Sequence, residues 1–225
     1  LLIAANNANL AAKDAAETHA AAHRARGLDV HVTGVPAYST LGWFDDPLLS
    51  TFINYRDTQL ARLIFHELAH QVVYVEDDST FNESFAVVVE EEGVRRWLAS
   101  TGRDGALDGF LAAQARQREF IGLIDDARAR LERLYAPPIG VDAMRARKGV
   151  EFVALATRYA QLKARWGGFS GYDRFMVAPN NALLASIATY TQRVPELRRL
   201  FVESGSDFEV FYGRVRALAA STASR

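Results

Sequence analysis

Two periodicities run through this chain, and the helical one dominates. Residues 8–26 are Ala-rich, carry scattered charge and stop at Gly27, which reads as a helix with a glycine end. Residues 29–35 alternate apolar and polar side chains and predict a strand. Residues 36–47 read as a loop, unusually aromatic, with Tyr38, Trp43 and Phe44 among Ser, Gly and Asp. Asp57 or Thr58 is placed to cap a helix running to about Val75. Leu60, Leu63, Ile64 and Leu68 give it helical spacing. With Phe65, Val72 and Val73 added, that helix looks apolar nearly all round, so it is expected to be buried.

A polar break at residues 76–79 precedes a helix from Thr80 to about Ser100, ended by Gly102. Residues 107–135 predict a long amphipathic helix with its charges on one side, stopped by Pro137-Pro138. Asp142 opens a helix to Trp166, and a Gly-rich loop follows. Residues 179–181 cap a helix to about Arg193, Pro195 starts a short one, and Asp207 starts the last. No internal repeat and no long linker interrupts the series. The expected class is α+β, mainly α, as a single domain over residues 1–225, with a small β element before the second helix.

Composition narrows the chemistry. Lys+Arg is 26 and Asp+Glu is 27, a net charge of −1, so the basic excess of a nucleic-acid binder is missing. No apolar run reaches the roughly 20 residues of a membrane span. There is no cysteine, which excludes thiol catalysis and Cys-bound zinc. Any metal would have to be held by histidine and carboxylate.

Such a set is visible. His66-Glu67-Leu68-Ala69-His70 is H-E-x-x-H in mid-helix, and it takes two of the five histidines. Residues four apart share a helical face, so both imidazoles can reach one ion. Glu67 sits one step round, where it can act as general base on a water. The expected cofactor is one zinc ion, and the expected reaction is hydrolysis of a peptide bond. A catalytic zinc needs a third protein ligand and an open position. His19, His23 and His31 all lie upstream. Downstream, Glu83, Glu90, Glu91 and Glu92 are available, and spacing alone does not choose among them. Glu83 also fits a capping box, Thr80-Phe81-Asn82-Glu83, a role that competes with metal binding. Tyr172 and Tyr190, with Tyr38 as a third, are candidate donors to the oxyanion. Asn180 and Asn181 could bind a peptide backbone or cap a helix. Residues 35–42 could present an edge strand to an extended substrate. Asp45, Asp46, Asp77 and Asp78 are candidates for holding a substrate ammonium.

His-Glu-Leu-Ala-His-Gln followed by Asn82-Glu83-Ser84-Phe85-Ala86 resembles the gluzincin pattern of aminopeptidase-N-like enzymes. In those enzymes the glutamate after Asn is the third zinc ligand, so the resemblance implies His66, His70 and Glu83. The chain departs from the pattern in two ways. Only 12 residues separate His70 from Glu83, fewer than usual. Val87 stands where thermolysin-like enzymes carry the carboxylate that orients a histidine. Glu90 lies two turns along the same face as Glu83, a place from which it could hold a histidine from behind. More closely, residues 37–49, 65–70, 81–86 and 179–182 resemble a bacterial aminopeptidase family, many of whose members are predicted lipoproteins. That resemblance implies a zincin-like domain, aminopeptidase activity and a peptide substrate. It also implies the cell envelope or periplasm, with a lipid anchor upstream of Leu1. The competing expectation is a non-catalytic envelope protein with a structural or vestigial metal site.

Overall fold

The computed structural model describes residues 2–6, 10–35 and 55–223. The structure is mainly helical. In chain order it has β1 (Leu2–Asn6), α1 (Leu10–Ala25), β2 (His31–Val35), α2 (Asp57–Val72), α3 (Ser79–Ser100), α4 (Asp104–Tyr135), α5 (Val141–Arg165), α6 (Asp173–Met176), α7 (Asn181–Thr191), α8 (Val194–Glu203) and α9 (Phe208–Ala223). β1 and β2 pair in a two-stranded sheet. The described residues group into two compact units. The first comprises residues 2–4, Asp14–Thr33 and Ala112–Ile187, the second residues 5–6, 10–13, 34–35, 55–111 and 188–223.

In the first unit the apolar stripe of α4 is Phe120, Ile124, Ala127 and Leu131, at the three- and four-residue steps of one helical face. It packs with Leu155 and Tyr159 of α5 and Leu184 of α7. Gly167 and Gly168, both at positive φ, turn the chain out of α5. Asn180 caps α7: its Oδ1 accepts the Leu183 N–H at 3.0 Å. Its Nδ2 donates to the Val30 carbonyl at 3.1 Å.

The second unit is organised by α3. From Phe81 to Glu90 this helix is buried on almost every side, Glu83 excepted. It packs against α2 and against α8, and α8 packs against α9. The Phe85 ring lies 5.8 Å from Phe211. Gly93 lets α2 approach, since a Cβ there would stand 2.8 Å from the Phe65 ring. The more deeply buried helix is therefore α3 and not α2. On α2 only Ala69 is buried among the described residues, while Ile64 and Leu68 are 40 % and 48 % exposed. Among the described residues α2 packs chiefly against α3, whereas α3 packs against both α2 and α8.

The start of α3 also differs from expectation. Asp78 is the N-cap, and its Oδ1 accepts the Phe81 N–H at 2.9 Å. Helical turns begin at Ser79, so the capping box at Thr80 does not form and Glu83 has no part in a cap. The turn before it passes through Asp77 at φ 61°, a left-handed conformation that Asp tolerates better than most residues.

Candidate metal centre

The α2–α3 hairpin carries every residue of the centre. His66 and His70, one turn apart on α2, face α3 with ring centroids 5.0 Å apart. Glu83 enters from the first turns of α3. Its Oε2 is 3.1 Å from His66 Nε2 and its Oε1 is 3.9 Å from His70 Nε2. One donor atom from each of the three residues lies within 4.8 Å of the others. This is the one such cluster among the described residues, and it could hold a metal ion.

A buried carboxylate stands behind the first histidine. Glu90, 4 % exposed, places Oε2 2.9 Å from His66 Nδ1. Its Oε1 accepts from Arg62 Nε at 2.7 Å and pairs with Nη2 at 2.5 Å. Arg62 is one turn before His66, so arginine and histidine grip the two oxygens of one carboxylate from the same helix face. Glu90 thereby holds the Nδ1 proton and turns Nε2 toward Glu83 and His70. The other two glutamates of the acidic run are used elsewhere: Glu91 pairs with Arg198, and Glu92 with Arg95 and Arg96. Glu83 is the acid left facing the histidines.

Charge and burial oppose each other at His66. Burial disfavours its cation, but hydrogen bonds to Glu83 and Glu90 outweigh this and raise its pKa to about 10. A proton on Nε2 thus bridges His66 and Glu83. The donors also suit a metal in that place. Adjacent ligands around a tetrahedral zinc sit about 3.3 Å apart, close to the 3.1 Å seen between His66 and Glu83. His70 is held below its usual range, by burial first and then by the charge of His66. Its Nδ1 is buried with no hydrogen-bond partner among the described residues.

The short connection between the helices is set by Asn82, which is 2 % exposed. Its Oδ1 accepts the Val75 N–H at 2.8 Å and its Nδ2 donates to the Val75 carbonyl at 2.7 Å. One amide thus closes both hydrogen bonds of Val75, as a neighbouring strand would, and fixes the loop that delivers Glu83. On the far side Ser84 Oγ accepts the Arg193 backbone N–H at 3.2 Å. The Arg193 guanidinium lies over the Phe81 ring at 4.9 Å and 3.6 Å from Asp78. These contacts tie the start of α8 to the start of α3.

Glu67 is half-buried on α2. Tyr190, at the end of α7, is 46 % exposed. Burial raises its phenol pKa, and the charges of Glu83 and Glu67 raise it further, so it is a protonated donor near both carboxylates. Tyr172 belongs to the first unit, where its ring stacks on Phe120 at 4.3 Å and 7°. Asn180 is a helix cap, and Asn181 exchanges hydrogen bonds with Tyr135. Asp78 is committed to its cap and Asp77 is exposed. Tyr38, Asp45, Asp46 and residues 36–42 lie outside the described residues. Arg62, Asn82, Ser84 and Arg193 were not expected. Arg62 had one signal, its position four residues before His66.

No curated protein and no solved structure was found to match the chain. A family model described as "Putative aminopeptidase" does match, over residues 11–225, and the chain belongs to that family.

Proposed function

We propose that the protein is a zinc-dependent peptidase of zincin-like design, acting as an aminopeptidase, with one zinc ion held by His66, His70 and Glu83. The observation that carries this is the meeting of three donor atoms within 4.8 Å beside a glutamate in the H-E-x-x-H register. Two nitrogens and one carboxylate suit zinc and leave a coordination position open. Bound zinc would lower the pKa of a water and polarise the scissile carbonyl.

The protein's own groups do the rest. Glu67 takes the proton of the attacking water and returns it to the leaving amine. Tyr190 keeps its phenolic proton and donates it as a hydrogen bond where negative charge grows on the carbonyl oxygen. Glu90 and Arg62 hold His66 in orientation, so the site is preorganised before substrate arrives. Tyr172 has the weaker claim to the donor role, because its ring is stacked in the core of the first unit.

The test is turnover of a mixed peptide library by zinc-loaded wild type and by Glu67→Gln, with free and with acetylated amino termini. The expected result is cleavage by wild type alone, faster for free termini, with equal zinc content in both proteins. Wild-type rates in Glu67→Gln would overturn the mechanism. Equal rates on both termini would remove the aminopeptidase assignment. No cleavage by wild type would favour a non-catalytic role.

A further inference from the structure

A second pair of histidines lies on α1, in the first unit, with the same four-residue spacing as His66 and His70. His19 and His23 approach through Nε2, 3.2 Å apart, with ring centroids 4.7 Å apart and planes at 75°. Among the described residues each ring has the other as its hydrogen-bond partner, and no carboxylate engages either. His19 is exposed and His23 half-buried, so solvent reaches the pair.

We propose that His19 and His23 form a second metal site, distinct from the α2–α3 centre, that takes one divalent first-row transition ion through both Nε2 atoms with water in the remaining positions. Three observations support it. Bonds of 2.0–2.1 Å at a tetrahedral angle separate two nitrogens by about 3.3 Å, and the pair stands at 3.2 Å. That separation can hold at most one proton between the rings, while a cation satisfies both lone pairs at once. The His23 Nδ1 is buried with no hydrogen-bond partner among the described residues, which leaves Nε2 as the ring nitrogen open to an incoming ion. Of the cations near the pair, Arg24 is paired with Glu17 at 3.0 Å.

The donor set predicts the selectivity. Two imidazoles without carboxylate or thiolate favour copper(II) over nickel(II) and zinc, and exclude magnesium and calcium. Without a third protein ligand, the ion should exchange freely. The site is therefore suited to reversible loading and not to structural support.

The experiment uses the untagged full chain, stripped with chelator, and titrates copper(II) while recording electron paramagnetic resonance. Wild type and His19→Ala/His23→Ala are compared after the α2–α3 centre of both has been filled with zinc, and released zinc is measured so that copper entering that centre is subtracted. Wild type should take up one copper with a two-nitrogen signature, and the double variant should lose it. His19→Ala alone should weaken copper binding about tenfold or more, since the second nitrogen no longer acts at high effective concentration. The helical circular dichroism of the variants should be unchanged, because neither histidine belongs to a hydrophobic core cluster. Equal copper uptake by wild type and the double variant would overturn the proposal. So would wild-type uptake without nitrogen coupling, or no uptake at all, in which case the pair is an ordinary imidazole–imidazole hydrogen bond. None of these outcomes depends on peptidase activity.

Discussion

Replacing Asn82 should damage both the fold and the metal centre, and the two effects can be measured apart. Asn82→Ala removes two hydrogen bonds, at 2.8 and 2.7 Å, from the Val75 N–H and carbonyl. Each backbone group then loses its partner in a part-buried turn, at about 1–2 kcal/mol apiece. The sum of about 2–4 kcal/mol corresponds to a fall in Tm of roughly 5–15 °C for a chain of this size. Asn82→Asp is the sharper probe. Its carboxylate still accepts the Val75 N–H but turns a second oxygen toward the Val75 carbonyl, so it should be no better than alanine. Urea unfolding of metal-free protein reads the stability, and competition against a chromophoric chelator reads zinc affinity. Affinity should fall about tenfold or more in both variants, because Glu83 is the next residue on the loosened turn. If both variants unfold within about 0.5 kcal/mol of wild type, the amide does not hold the loop, and the account of how Glu83 is delivered is wrong.

The other expectations concern the ligands and their protons. Glu83→Ala should empty the site, whereas Glu90→Gln and Arg62→Met should weaken zinc about 10–100-fold; the reverse order in a dialysis measurement would reassign the third ligand. Metal-free His66, with a pKa raised to about 10 from 6.5, must lose a proton to bind through Nε2. Calorimetry in buffers of different ionisation enthalpy should find about one proton released per zinc between those two pH values, with affinity rising about tenfold per pH unit. By the same linkage, His66 stabilises the metal-free fold fully below pH 6.5, and this contribution disappears as pH rises through about 10. Tyr190→Phe should lower kcat by about 10²–10³ with zinc content unchanged, and an unaltered kcat would remove it from the mechanism.

The parts of this structure legible in sequence were those with local causes. Helical spacing and terminal Gly, Pro and Asn place α1, α5 and α7 within a few residues. The H-E-x-x-H register places two donors on one face without knowledge of the fold. The misses have non-local causes. β1 has no alternation of its own and exists by pairing with β2. α6 is the exception with a local cause: its four residues are too few to leave a periodic trace. The apolar surround of α2 suggested burial, but burial depends on how many neighbours a helix has, and that is a tertiary property. The cap falls at Asp78, two residues before Thr80, where Oδ1 accepts the Phe81 N–H. The duties of Arg62, Ser84 and Arg193 come from partners 28, 109 and 109 residues away in the chain.

The hairpin that carries the centre also implies an order of assembly. His66 and Glu83 are 17 residues apart, while Ser84 and Arg193 are separated by 109. Loop-closure entropy makes the shorter connection about 1.6 kcal/mol cheaper to form. The three donors and the Arg62–Glu90 brace all lie between residues 62 and 90, so they can meet before the C-terminal helices dock on α3. A metal ion present during folding would therefore meet its ligands early, and it would bias the nascent chain toward the native pairing of α2 with α3.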